Sequence, residues 1–231
     1  MVSGTLRADT RRVIRSAVFI GLLLSLAPVS DAASQTVLHE SSLTLEIWTE
    51  RDRIIHPEGS PEERLLQELR YVVSGMVYGY RFAYTPSWGD RNVAERFLLE
   101  PAATIPWGDS AATTLDLADR GNTVYGQFMY NLSHRQRSLR SRWDSATVPD
   151  SSGSGSANIM DGYSGKIDAM EEAIHQALRV YLRGETRNRP REVTGAILLE
   201  EAPRVFIDEG RYVARVDIRI LIDTLLPYET F

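Results

Sequence analysis

The chain has 231 residues and a formal net charge of −5 at pH 7, with 31 acidic and 26 basic side chains. This acidic balance argues against a general nucleic-acid-binding role, which depends on clustered positive charge. The chain has no cysteine, which excludes disulfides and a lipid-modified N-terminal cysteine.

The first predicted element is a cleavable export signal at residues 1–33. Four arginines precede an uncharged, mostly apolar run at residues 17–29, which is the layout of a signal peptide. The run is shorter than the roughly 20 apolar residues of a membrane-spanning helix. Small residues place cleavage near Ala33 or Gln35, and general secretion is favoured over twin-arginine export. We therefore expect a periplasmic or secreted protein with no membrane span after signal removal.

Residues 34–148 are predicted to form a first α+β unit. Alternating apolar residues predict a strand at 41–49. The segment Ser60-Pro61-Glu62-Glu63 has the pattern of a helix N-terminus with a capping box, and apolar residues at helical spacing extend to about Ser74. Two hairpins are predicted after this helix, with strands at 78–84 and 93–99 and at 113–118 and 123–132.

An aromatic stripe occupies alternate positions of the first hairpin. It consists of Tyr78, Tyr80, Phe82 and Tyr84. Together with Trp88 it has the composition of a sugar-stacking platform, but aromatic residues at a period of two more often form the packed side of a sheet. We expect the stripe to lie in the core.

The segment 149–158, with the sequence PDSSGSGSAN, has no side chain able to pack in a core. It is predicted to be a flexible Ser/Gly linker or loop. Residues 159–231 are predicted to form a second α+β unit, with an amphipathic helix followed by three strands. Helix-then-hairpin therefore occurs twice, and the predicted fold class is α+β. We expect an antiparallel sheet covered by two amphipathic helices, with both units packed as one domain.

A cluster of arginines at residues 134–143 is the one locally basic feature of this acidic chain. Its members Arg135, Arg137, Arg140 and Arg142 are the candidate contacts for an anionic ligand or partner. Guanidinium groups at this density can bind a phosphate, an acidic glycan or a carboxylate-rich protein. The favoured alternative is a solvated loop whose arginines pair with the chain's own carboxylates.

The sequence predicts no catalytic residue, metal ligand or cofactor. It has neither a G-x-S-x-G elbow nor a phosphate loop nor a dinucleotide fingerprint. Glu172 and His175 have the Glu-x-x-His spacing of di-metal bundles, but no second motif accompanies them. We expect His175 to form a helix-surface ion pair with Glu171 instead. Lys166 is the only lysine in the chain, and we attribute this bias toward arginine to genome composition and not to a binding function.

These observations favour a non-enzymatic binding or assembly protein of the cell envelope. Such a protein would contact an envelope protein or glycan through a sheet edge or the arginine cluster. One alternative is a small outer-membrane β-barrel, which the two predicted helices weaken. The other is an envelope hydrolase that uses scattered carboxylates such as Asp161, Asp168 or Glu172, for which the sequence offers no supporting constellation.

Overall fold

The computed structural model of the chain describes residues 37–39, for which the backbone alone is described, and residues 41–51, 59–185 and 190–228. The predicted export signal lies outside these residues. The strands within them are β1 (Val37–His39), β2 (Ser42–Glu50), β3 (Tyr80–Thr85), β4 (Arg96–Pro101), β5 (Ala112–Arg120), β6 (Thr123–Asn131), β7 (Asp150–Asn158), β8 (Glu192–Leu199), β9 (Arg204–Asp208) and β10 (Arg211–Leu226). The helices are α1 (Pro61–Val77), α2 (His134–Arg140) and α3 (Gly162–Glu185).

The strands form two antiparallel sheets. The first has the order β1-β2-β6-β5, and the second has the order β4-β3-β8-β10-β7, with β9 also paired to β10. The predicted α+β class is confirmed, but the strands divide between two sheets where one was expected. Alternating hydrophobicity shows which side chains face a core and does not show which strands are neighbours. Helix α1 contacts strands of both sheets, and α3 packs on β7 and β10.

Helix α1 begins as the sequence predicted. The Ser60 side chain accepts a hydrogen bond from the Glu63 N–H at 3.2 Å, and the Ser60 N–H donates to Glu63 Oε2 at 3.0 Å. This capping box satisfies two backbone donors at the helix N-terminus. Leu65 and Met76, at opposite ends of the helix, are both fully buried. The helix continues three residues past the predicted end at Ser74 and stops at Val77.

Three of the four members of the aromatic stripe lie in the core, as expected, whereas Tyr78 is partly buried and lies at the C-terminal end of α1, before β3 begins. Tyr80, Phe82 and Tyr84 expose 5% or less of their surface, so they are not available as a sugar-stacking platform. The hydroxyl group of Tyr80 donates to the main-chain oxygen of Tyr71 at 3.2 Å, which satisfies the polar end of a buried ring.

The prediction of a flexible linker at residues 149–158 is wrong, because these residues form strand β7. The strand pairs with β10 at nine consecutive positions without a bulge. Its glycines leave room for the backbone of α3. A Cβ atom on Gly153 or Gly155 would fall closer than 3.0 Å to backbone atoms of Ala173. The missing side chains therefore permit close helix-on-strand packing. The described residues belong to one compact unit.

Candidate functional site

Most of the arginine cluster lies in helix α2, and Arg142 lies in the 3-10 turn at Ser141–Trp143 that follows, so the cluster is not the solvated loop that the sequence favoured. Its N-terminus has a capping box, in which Gln136 N–H donates to Ser133 Oγ at 3.3 Å and Ser133 N–H donates to Gln136 Oε1 at 2.8 Å. The Gln136 amide nitrogen also donates to the hydroxyl groups of Tyr78 and Tyr130, which ties α2 to the core. The Ser133-x-x-Gln136 spacing was the sequence signal that could have identified this helix.

Helix α2 separates the four predicted arginines. Arg137 and Arg140 line a cavity of about 780 Å³, whereas Arg135 and Arg142 are exposed outside its lining. Arg219 of β10 lines the same cavity. Nothing in the sequence linked Arg219 to the cluster, since Arg219 lies in a distant strand with ordinary alternation. The structure thus assembles three arginines, two of them predicted.

Arg140 has a structural role in this cavity. Its guanidinium donates to the main-chain oxygen of Met76 at 2.6 Å and to that of Glu200 at 2.8 Å. Burial lowers the pKa of Arg140, and the carboxylates of Asp144 and Glu200 oppose that shift. Arg140 therefore holds α2 against the end of α1 and the end of β8 while contributing its charge to the cavity.

Arg137 and Arg219 are the other two arginines of the cavity lining, and Arg137 is exposed whereas Arg219 is half-buried. Arg137 donates to the main-chain oxygen of Leu132 at 3.1 Å. Arg219 donates to Glu200 Oε1 at 2.9 Å, and this hydrogen bond raises the pKa of Arg219. Each guanidinium has five N–H donors, so both retain donors beyond these bonds.

The cavity has a surplus of positive charge. Its lining contains three guanidinium groups and the carboxylates of Asp144 and Glu200, for a formal balance of +1. The apolar part of the lining consists of Leu43, Leu132 and Leu198. A positively charged cavity with an apolar base is suited to holding an anionic oxygen group, because a lower local dielectric strengthens charge-assisted hydrogen bonds.

His175 belongs to a second polar cluster, but its partners differ from the prediction. Its Nδ1 atom lies 3.3 Å from Glu172 Oε2, and its Nε2 atom lies 3.5 Å from Glu95 Oε1. Glu171, the predicted partner, instead accepts a hydrogen bond from the Tyr71 hydroxyl at 3.5 Å. His175 is 8% exposed, so the expectation of a surface ion pair is also wrong. Strand β4 follows Glu95 directly, and local helical spacing could not reveal that contact.

The Glu95 carboxylate beside His175 is already engaged within the protein. The hydroxyl group of Tyr84 donates to Glu95 Oε1 at 2.6 Å, and Arg179 Nε lies 3.6 Å from the same oxygen. Burial raises the pKa of Tyr84 well above its usual value. The described residues contain no group of three or more histidine, aspartate or glutamate side chains placed to hold a metal ion.

Of the three hydrolase candidates, Asp168 and Glu172 lie together. They are one turn apart on α3 and line an open groove beside β7, which Asp161 does not line. The structure therefore brings two of these carboxylates to one surface and leaves the third elsewhere.

Lys166 and Glu68 form a buried ion pair that the sequence did not predict. Lys166 Nζ lies 2.7 Å from Glu68 Oε2, and the two side chains are 2% and 6% exposed. The ammonium group also donates to the main-chain oxygen of Trp48 and lies 4.2 Å from the centroid of its ring. Burial raises the pKa of Glu68, and the Lys166 charge acts in the opposite direction. This pair joins α1, α3 and β2.

Comparison with known proteins indicates kinship without naming an activity. No solved structure matches the chain. A protein of Treponema pallidum (strain Nichols), described as an uncharacterized protein, is 28% identical over 173 residues, which cover 74% of this chain and 73% of that protein. Within the described residues, no helix has both the length and the apolar character needed to cross a bilayer. One protein-family model matches residues 28–228, so the chain belongs to the family that this model defines.

Proposed function

We propose that this chain is an exported, non-enzymatic binding or assembly protein of the bacterial cell envelope. Its partner is a protein or glycan of the envelope, and the cavity beside α2 receives an anionic group of that partner. The observation that carries the proposal is the convergence of Arg137, Arg140 and Arg219 on one cavity in an acidic chain.

The size and chemistry of the cavity support binding of a small group or a side chain. Ligand sites in proteins usually enclose roughly 300–1,000 Å³, and this cavity encloses about 780 Å³. Guanidinium groups recognise carboxylates and phosphates through paired N–H donors. The described lining provides cations, two carboxylates and two serines, without a histidine that could act as a base near neutral pH. Binding is therefore favoured over catalysis at this place.

Arginines inside and outside the cavity provide matched controls for one another. We expect Arg137→Gln and Arg219→Gln to weaken binding of inorganic phosphate about tenfold or more, because a charged hydrogen bond contributes about 1.5–3 kcal/mol. Arg135→Gln and Arg142→Gln each remove the same charge outside the cavity. They should change the affinity less than about twofold, because salt screens the long-range attraction between exposed charges and the bound anion. Isothermal titration calorimetry at fixed ionic strength measures all four.

Arg140 is left unchanged in this series because it supports the position of α2. Glucuronate replaces phosphate in a parallel titration, which distinguishes a carboxylate site from a phosphate site. Equal losses at Arg135 and Arg137 would show that the chain attracts anions only through its overall field, and the cavity would then have no specific role.

Export has a separate test. We expect a bacterial host that expresses the full chain to release it from the periplasm on osmotic shock, with an intact mass that lacks about 33 N-terminal residues. Leu23→Arg places a charge in the apolar run and should leave the uncleaved precursor in the cytosol. Cytosolic, uncleaved wild-type protein would contradict the proposed location and leave the cavity titrations as an independent result.

A further inference from the structure

Strand β7 is an edge of the second sheet. Among the described strands it pairs with β10 alone, through positions 150–158. The other side of β7 therefore presents strand backbone that no described strand uses. This edge lies apart from the arginine cavity, whose described lining includes no β7 residue.

The hydrogen bonds that flank β7 show which backbone groups face outward. Ile159 N–H donates to the Gly210 oxygen at 3.4 Å, and Ile220 N–H donates to the Pro149 oxygen at 3.0 Å. Both pairs fit the β7–β10 register, and hydrogen-bonded positions of an antiparallel ladder alternate. Odd-numbered residues of β7 therefore bond to β10, and even-numbered residues turn their N–H and C=O groups to the free edge. The outward residues in the middle of the strand are Ser152, Ser154 and Ser156.

The middle of this edge lacks most of the features by which sheet edges usually avoid pairing. Proteins protect edges with proline, charged side chains, bulges or very short strands. Strand β7 is nine residues long and regular, and residues 151–157 contain only serine, glycine and alanine. Arg211 donates to the Ser156 oxygen at 3.2 Å and so occupies one acceptor near one end of the strand. None of the described strands pairs with the outward groups of Ser152 and Ser154, so this stretch can accept another strand.

Two carboxylates, those of Asp168 and Glu172, lie beside this edge. Residues 154–157 of β7 line an open groove of about 670 Å³ together with Asp168, Glu172 and Gln176. These three side chains lie four residues apart on one face of α3. A strand added to β7 would direct alternate side chains toward them, since successive side chains of a strand point to opposite faces. Lysine or arginine at those positions would be complementary in charge.

We infer that the β7 edge, residues 152–157, binds an extended, basic segment of another protein as an additional strand. Backbone hydrogen bonds provide the affinity in this mode of recognition, and side chains on alternate positions provide the specificity. A second copy of this chain is a poorer occupant. Pairing β7 with β7 across a twofold axis would bring the Asp168 and Glu172 carboxylates of both copies to the same face.

The direct probe is a capped nine-residue peptide of alternating lysine and valine. We expect fluorescence anisotropy to show binding of this peptide. An otherwise identical glutamate–valine peptide should bind at least about tenfold more weakly, because its carboxylates are repelled by those of Asp168 and Glu172. Hydrogen exchange of the Ser152 and Ser154 amides should slow by about tenfold or more when the lysine peptide saturates the protein. The Gly153 and Gly155 amides, which face β10, should be protected already in the free protein.

Ser154→Pro removes one outward N–H and leaves the main-chain hydrogen bonds to β10 in place. It also removes the hydroxyl group that donates to the Ala214 main-chain oxygen at 3.1 Å, and Ser154→Ala is its matched control because it removes that hydroxyl group alone. Proline is tolerated on an edge where its position faces solvent. We expect the proline variant to lose about tenfold in affinity, the alanine variant less than about twofold, and Arg137→Gln to bind the peptide like wild type. Unchanged affinity in a Ser154→Pro protein with native circular dichroism would overturn the inference. Failure of the lysine peptide to bind, or pairing of two copies through β7, would overturn it as well.

Discussion

Lys166→Met is expected to lower the free energy of unfolding by about 3–5 kcal/mol at pH 7, as measured by chemical denaturation. Methionine keeps most of the side-chain length, so the main loss is the positive charge. The change leaves the Glu68 carboxylate buried without the partner that lies 2.7 Å away. Removing one member of a buried pair costs more than the pair contributes, because the remaining charge stays desolvated.

The pH dependence of the stability loss distinguishes a buried carboxylate without its partner from a packing defect. Burial raises the pKa of Glu68 above its unfolded value, and Lys166→Met removes the charge that opposes this rise. As the pH rises, Glu68 therefore loses its proton at a lower pH in the unfolded state than in the folded state. The free energy of unfolding of the variant falls as the pH rises from the unfolded pKa toward the folded pKa. The cost of Lys166→Met should therefore be smallest near pH 4–5 and grow toward neutral pH.

Two further variants provide the controls. Glu68→Leu in the Lys166→Met background removes both charges and should restore most of the lost stability. Arg51→Met breaks an ion pair with Asp119 whose side chains are 51% and 53% exposed, and it should cost less than about 1 kcal/mol. The account would be contradicted if the loss of stability in Lys166→Met did not change with pH, or if Glu68→Leu failed to reduce it. Either result would show that the ion pair is not the source of the loss.

Gly155→Val is the second substitution with a large expected effect, a loss of more than about 3 kcal/mol or failure to fold. A Cβ atom at this position would meet backbone atoms of α3 at Ala169 and Ala173, which cannot move as a flexible side chain can. The strand and the helix would have to separate.

Gly184→Ala is the matched control for this glycine prediction. Gly184 lies in α3, and a Cβ atom there would have no neighbour within 4 Å. Alanine should leave stability unchanged or raise it by up to about 1 kcal/mol, because it is the better helix former. Thermal unfolding followed by circular dichroism measures both variants. A stable Gly155→Val protein would contradict the close packing of α3 on β7.

Local signals predicted much of the fold because they act over a few residues. The capping box at Ser60, the apolar spacing of α1 and the alternation in β2 and β10 all depend on neighbours in sequence. Strand β7 was not predicted, because a segment without large side chains indicates a linker when it is considered without its tertiary neighbours. Beside the backbone of α3, the same small residues permit contact, and only the tertiary partner distinguishes the two outcomes.

The candidate site was predictable only in part for the same reason. Arg137 and Arg140 could be selected from local charge density, but Arg219 joins them through the pairing of distant strands. The buried Lys166–Glu68 pair links residues 98 positions apart. Its one sequence signal was the single lysine in a chain that otherwise uses arginine, and composition alone did not indicate what that exception meant.

The central claim, that the cavity beside α2 binds an anionic group of an envelope partner, is tested most directly by NMR of the arginine side chains. Inorganic phosphate is titrated into the wild-type mature protein while the Nε–Hε signals are followed. We predict saturable shifts at Arg137 and Arg219 at phosphate concentrations that leave Arg135 and Arg142 unchanged. Equal, non-saturating shifts at all four arginines, or none at Arg137 and Arg219, would contradict the claim.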